Sequence, residues 1–284
     1  MYIALVCDKI TFEVNFVTEY IYKTIGERKL SLYIMEPTVK KYDKSPICLF
    51  IPGGGWKMAN GKGMLGFSKR IVDKVLSEGC TAVGVDYRIV TEENVGIFEV
   101  ISDCFDAVRY LVHNANELGL DKHRIATIGH SAGGHLALMT AYADSSLFTV
   151  DSILNDTFKV NVSAVMSPAT VLYNEGIAQT LGFPVNSLFR KNDTLEQRQL
   201  ASPISHVSNQ TPPTLLAAGT SDRLVFPNSS ELLFAKLQES GVDSELILSL
   251  ASGHVFEKMH EQFDVGITMA EIQEKCAKFI LDRI

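Results

Sequence analysis

The sequence predicts an α/β fold, a mostly parallel eight-stranded sheet with helices on both faces, and three observations predict it. Apolar runs of strand length alternate with helix-spaced runs along the 284-residue chain, the pattern of a parallel sheet wound by right-handed crossovers. The runs at Pro46 to Ile51, Thr81 to Asp86 and Thr214 to Gly219 are apolar almost without a break, as strands buried on both faces must be. Hydrophobic residues make up 46% of the chain and charged ones 21%, and no tract rich in Pro, Ser and Gly is long enough for a linker, so residues 1–284 read as a single domain with one large core.

Each element has its own justification. Thr11 to Tyr22 and Lys29 to Met35 alternate well enough to be two half-exposed strands, turned at Gly26 and Glu27, which suits an antiparallel edge. Pro46 to Ile51 is the first fully buried strand and runs straight into Pro52, Gly53, Gly54, Gly55 and Trp56. Between Gly63 and Gly79, Phe67, Ile71, Val72, Val75 and Leu76 follow one helical face, and Thr81 to Asp86 is the next strand. Apolar positions from Val100 to Leu118 mark a long amphipathic helix that Gly119 ends.

Arg124 to Gly129 reads as a short buried strand and Ala132 to Ala143 as a helix rich in small side chains. Val160 to Ser167, Thr214 to Gly219 and Glu245 to Leu250 complete the strands, and Leu232, Leu233 and Leu237, then Ile272, Cys276, Phe279 and Ile280, mark two more helices. Pro168 to Gln210 has mixed polarity and weak periodicity over a length unusual for a plain connection, and reads as a small helical insertion that caps the substrate pocket.

The chemistry centres on Gly129, His130, Ser131, Ala132 and Gly133, a G-x-S-x-G sequence lying between a buried strand and an apolar helix. A serine there sits on a tight elbow, and the N-terminus of the following helix directs partial positive charge at its oxygen. A serine hydroxyl needs a base within hydrogen-bond reach, and the base needs an acceptor to fix its tautomer. Asp222, just past one buried strand, and His254, just past the next, follow Ser131 in the order that this topology expects. His206 and His260 compete for the role of base, and Asp193, Glu196 and Asp243 for that of acid; solvated loop carboxylates are the simpler reading of those three. Three successive glycines after a buried strand, Gly53 to Gly55, can present unobstructed amides to an oxyanion, together with the amide of Ala132.

Other classes find little support. The Gly-rich loop lacks the Gly-Lys-Ser/Thr of a phosphate-binding P-loop, no H-E-x-x-H or paired-cysteine motif points to a metal, and no cofactor is expected. A net charge of −7 without a basic stripe argues against nucleic acid as a partner. Five scattered cysteines fit reduced core thiols, the N-terminus lacks the basic start of a signal peptide, and no run reaches the length of a membrane span, so a cytoplasmic location is expected. Apolar surface on the insertion could equally bind a second copy, leaving a homo-oligomer open.

With these residues in place, the chain from about Ser45 onward resembles the α/β-hydrolase superfamily, in its esterase and lipase branch related to hormone-sensitive lipase and to acetylxylan and feruloyl esterases. The resemblance is carried by Gly129 to Ala137, by Pro52 to Trp56, by Val85 to Arg88, by Gly219 to Val225 and by Gly253 with His254. It implies a serine carboxylesterase with Ser131 as nucleophile, His254 as base, Asp222 as orienting acid, and the amides of Gly54, Gly55 and Ala132 as oxyanion hole. Pro52 stands where relatives often carry histidine, and Val255 where glycine is common. The expected substrate is a small-molecule, short-chain acyl ester, acetyl favoured, with acetylated carbohydrate among the options. An arylformamidase or a small serine peptidase would use the same triad, and a binding protein on an inactive hydrolase scaffold is the non-enzymatic alternative.

Overall fold

A computed structural model describes residues 16–173, 180–182, 184–190, 193–259 and 261–284. Its strands form one eight-stranded sheet in the order β1-β2-β4-β3-β5-β6-β7-β8. β1 (Val17–Ile25) and β2 (Arg28–Met35) make the antiparallel edge hairpin, and β2 also runs antiparallel to β4 (Thr81–Val85). From β4 across β3 (Ser45–Ile51), β5 (Leu120–His130), β6 (Val162–Met166), β7 (Thr214–Gly219) and β8 (Ser244–Ser249) every pairing is parallel. The N-terminal part of the expected first strand, Thr11 to Asn15, lies outside the described residues.

Strand side chains alternate between two cores because the strand repeat is two residues. In β3, Ile47, Leu49 and Ile51 enter one core with α3 (Ile97–His113), α4 (Ala132–Tyr142) and α6 (Asn228–Glu239). Cys48 and Phe50 enter the other with α1 (Gly61–Phe67), α2 (Lys69–Ser77) and α7 (Met269–Leu281). No helix among the described residues is long and apolar enough to cross a membrane.

Two helical expectations need correction. The helix expected over Gly63 to Gly79 is two helices, because Ser68 between them leaves helical geometry and the Gln273 side chain of α7 enters the break. Its amide donates to the Phe67 carbonyl at 2.8 Å and its oxygen accepts from Arg70 N–H at 3.2 Å, so the backbone groups freed there are satisfied. The helix expected to reach Leu118 ends at His113, where the Asn114 side chain donates to the Tyr110 carbonyl at 2.8 Å; turns then lead to Gly119 at φ 66°.

α3 also carries buried charge that its apolar pattern conceals. Asp103 accepts from Lys23 and Arg88, and Asp106 from Lys23 and Arg109, so each buried charge is paired. Breaking one pair would strand its partner away from water, which makes this network a rigid tie between β1, α3 and the loop after β4.

Candidate active site

Gly129 pairs with Ile51 in β3 and with Val165 in β6, so three strand ends meet where β5 stops. Ser131 follows as the N-cap immediately before α4, with φ 57° and ψ −123°, a conformation that costs a non-glycine residue roughly 1–3 kcal/mol. Its amide donates to the Met166 carbonyl at 2.9 Å. Helix and strand pass so closely behind it that a Cβ on Gly129 would lie 2.1 Å from the Gly133 carbonyl oxygen, and one on Gly133 would lie 2.1 Å from that of Ile51. The elbow thus depends on the two glycines of the motif.

His254 and Asp222 come together, and His254 shares a cavity with this serine. His254 Nδ1 lies 2.6 Å from Asp222 Oδ2, and Asp222 Oδ1 accepts from the amides of Leu224 (2.8 Å) and Val225 (3.1 Å). The Asp222 carboxylate is fully buried, and the imidazole of His254 is 14% exposed. A carboxylate engaged on both oxygens cannot rotate freely, so it fixes the ring orientation and the Nδ1–H tautomer of His254.

The loop from Pro52 to Trp56 lies against the elbow. A Cβ on Gly53 would meet the His130 carbonyl oxygen at 2.7 Å and Ser131 Cβ at 3.4 Å. Gly54 (φ 122°), Gly55 (φ 61°) and Trp56 (φ 59°) carry the chain through a left-handed turn. No carbonyl among the described residues accepts from the amides of Gly54 and Gly55. With proline at position 52, the loop is held from outside: Tyr87 Oη donates to the Pro52 carbonyl at 2.7 Å, with that of Met58 at 3.1 Å, and the amide of Val90 donates to the Trp56 carbonyl.

These parts surround one open cavity of about 830 Å3, lined by Gly53 to Trp56, His130, Ser131 and His254 and by the apolar side chains of Met58, Met64, Phe67, Leu188, Leu224 and Val225. The rest of the expected set is apportioned plainly. Ser131, His254, Gly54 and Gly55 face the cavity, Asp222 stands behind His254, and Ala132, 1% exposed, is the first residue of α4. Three of the five competitors are engaged elsewhere. His206 contacts the Leu200 carbonyl, Asp193 pairs with Arg198 and Asp243 with Arg283, Glu196 is exposed, and His260 lies outside the described residues. Among the described residues no cluster of His, Cys, Asp and Glu could hold a metal.

Sequence reasoning missed several supports. Trp56 donates its indole N–H to His135 Nδ1 at 3.2 Å, and His135 Nε2 donates to the Ala201 carbonyl at 2.8 Å, joining the glycine loop, α4 and the segment after β6. His130 Nε2 lies 2.9 Å from the His254 carbonyl oxygen. Burial holds His130 and His135 at pKa values of about 4, so both are neutral at pH 7. From the segment after β6, Pro184, Ser187 and Leu188 reach the cavity wall. The signal available for Trp56 and His135 was their placement beside the glycines of the two loops; nothing local marked the others.

A mostly parallel eight-stranded sheet, carrying a serine on a strained turn between its central strand and a buried helix, defines an α/β-hydrolase fold, and its family match and relatives place the chain in the esterase and lipase branch. The chain belongs to the BD-FAE family, which it matches over residues 32–237. It is similar to an arylesterase of Saccharolobus solfataricus, 28% identical over 229 residues that cover 77% of this chain and 70% of the relative. An esterase of Gibberella moniliformis is 25% identical over 241 residues, covering 81% and 72%. The solved structure of a thermophilic esterase from Thermogutta terrifontis shares the fold, with a TM-score of 0.75 at 24% identity over 94% of this chain and 92% of that one.

Proposed function

We propose that this carboxylic ester hydrolase is a serine carboxylesterase that works through an acyl-enzyme. Ser131 Oγ attacks the ester carbonyl while His254 Nε2 takes its proton, and the oxygen that becomes negative is held by the amides of Gly54, Gly55 and Ala132. His254, now positive against Asp222, gives the proton to the leaving alcohol as the C–O bond breaks. Water then enters and loses a proton to His254 as it attacks the acyl carbon; when the bond from the acyl carbon to Ser131 Oγ breaks, His254 returns that proton to Oγ, and the acid leaves. The observation that carries this reading is the 2.6 Å pair of His254 and Asp222, set on the same cavity as a serine in a strained turn. The arylesterase and esterase relatives support the same reaction class.

The acyl group is short, with acetyl foremost, and the segment 168–210 acts as a cap whose Pro184, Ser187 and Leu188 shape the alcohol side. An apolar alcohol is better supported than a sugar. Beyond Ser131 and its two histidine neighbours, polar side-chain atoms on the cavity wall come from Lys57, Asn60 and Ser187, while Trp56 has its N–H engaged on His135. Most hydroxyls of a carbohydrate would lose water there without a replacement partner, at roughly 1–3 kcal/mol each.

Initial rates on p-nitrophenyl esters from acetate to octanoate, together with naphthyl acetate and acetylated xylose, test the reading. The expected result is fastest turnover on acetate, decline by hexanoate, and preference for naphthyl acetate over the acetylated sugar. Background rates on every ester would overturn the reaction class, and preference for the sugar would overturn the assignment of the alcohol.

A further inference from the structure

His130 has no part in the chemistry of Ser131, His254 and Asp222, yet it is bonded to the backbone of the base. It is the last residue of β5, directly before Ser131, and only 7% exposed. Its Nε2 lies 2.9 Å from the carbonyl oxygen of His254, and that oxygen also accepts from Ser167 Oγ at 3.0 Å. A carbonyl oxygen can only accept, so His130 carries its proton on Nε2. The two rings lie 4.8 Å apart with their planes inclined by 57°, and Phe67 covers His130 at 5.1 Å.

The loop around His254 needs such a fixture. Ala251 at φ 55° and Phe256 at φ 60° mark it as backbone held against local preference, and Val255 beside the base is 43% exposed. Asp222 restrains the imidazole through Nδ1, but it does not determine where the main chain of His254 sits. The His254 carbonyl is restrained by the two bonds from His130 and Ser167. His130 is the more direct of the two, because it is covalently adjacent to the nucleophile.

We propose that His130 is a positioning residue: its Nε2–H holds the His254 carbonyl at a set distance from the elbow, so that the base stays aligned with Ser131 through both proton transfers. The inference rests on the serine-esterase reading. Burial first, and the facing His254 second, keep His130 uncharged, so it donates without placing a second positive charge beside the imidazolium that forms during turnover. A misalignment on the order of 1 Å costs a proton-transfer site about a hundredfold. The loss therefore belongs in kcat, while the cavity that sets KM keeps its other walls.

The test compares wild type, His130→Leu, His130→Gln and Ser167→Ala in steady-state hydrolysis of p-nitrophenyl acetate, with a thermal melt for each. His130→Leu fills the space without a donor and should lower kcat roughly 10- to 100-fold with KM within about threefold. The amide of glutamine offers an N–H at similar reach, so His130→Gln should recover most of that loss even if its melting temperature is no higher than that of His130→Leu. Should the leucine variant fail to fold, Ser167→Ala removes the companion bond to the same oxygen and should show a smaller loss with the same kcat signature. An active wild type with kcat unchanged in His130→Leu, or with the glutamine variant as impaired as the leucine one, overturns this inference alone. A wild type silent toward every ester overturns the esterase reading and this one with it.

Discussion

His254 Nδ1 and Asp222 Oδ2 are 2.6 Å apart, and the second oxygen of the same carboxylate is bound by the amides of Leu224 and Val225. The carboxylate therefore orients the ring and closes its own loop at once. Asp222→Asn keeps an acceptor for one partner only. It should lower kcat by about 10⁴ with little change in KM, because the imidazole loses its enforced tautomer. Steady-state kinetics on p-nitrophenyl acetate check this, and a loss under tenfold would assign the orienting role to another group.

The elbow glycines should be intolerant in a way that separates packing from propensity. Gly133→Ala sets a Cβ 2.1 Å from a backbone oxygen of β3, with no flexible side chain to yield. It should lower the melting temperature by more than about 10 °C or abolish soluble protein. Gly66→Ala, in α1 with nothing within 4 Å of the new Cβ, should be neutral or gain up to about 1 kcal/mol. Equal melting temperatures for the two variants would contradict the close approach.

How much of this was legible follows the range of each signal. The strand expected over Arg124 to Gly129, observed as the longer Leu120–His130, and the helix starting at Ala132 were plain because β-branched and small apolar residues cluster locally, and Thr214 to Gly219 matches β7 residue for residue. Asp222 and His254 stood out as candidates because they lie just beyond strand-like runs, where parallel sheets gather their loops; β7 is buried as expected, whereas β8 is a half-exposed edge strand. The break at Ser68 was not legible, because the residue that stabilises it, Gln273, lies on α7 far along the chain. The bond from His130 to the backbone of His254 was hidden for the same reason: a carbonyl partner leaves no mark in a side-chain pattern.

Acid should weaken the fold earlier than carboxylate protonation alone. His130 and His135 are held near pKa 4 by burial, while an unfolded histidine titrates near 6.5. Between those values the unfolded chain binds protons that the folded chain does not, so stability is full above pH 6.5 and falls as pH drops toward 4. The loss is at most about 3 kcal/mol for each histidine. Urea unfolding at pH 7.5 and pH 5 should show the fall, and His135→Gln, which leaves the His130 contribution, should roughly halve it. A midpoint unchanged between the two pH values would mean that both rings protonate without resistance.

Trp56→Phe should act on the glycine loop through the bond that ties it to α4. Its indole N–H binds His135 Nδ1, so phenylalanine leaves a buried acceptor without a donor and releases the loop that carries Gly54 and Gly55. The expected cost is about 1–3 kcal/mol of stability and a fall in kcat of roughly tenfold. Unfolding curves and kinetics on the same preparation would show both, and a variant with lower stability but full kcat would uncouple the loop from the oxyanion.

The central claim is that Ser131 is the nucleophile, and the most direct measurement is hydrolysis of p-nitrophenyl acetate by wild type and Ser131→Ala, paired with labelling by a fluorophosphonate. The account predicts that wild type hydrolyses the ester and takes up one label per chain, and that Ser131→Ala, folded with an unchanged melting temperature, does neither, its kcat lower by about 10⁶. Residual turnover within a hundredfold of wild type, or a label retained by the alanine variant, would contradict it and place the nucleophile elsewhere.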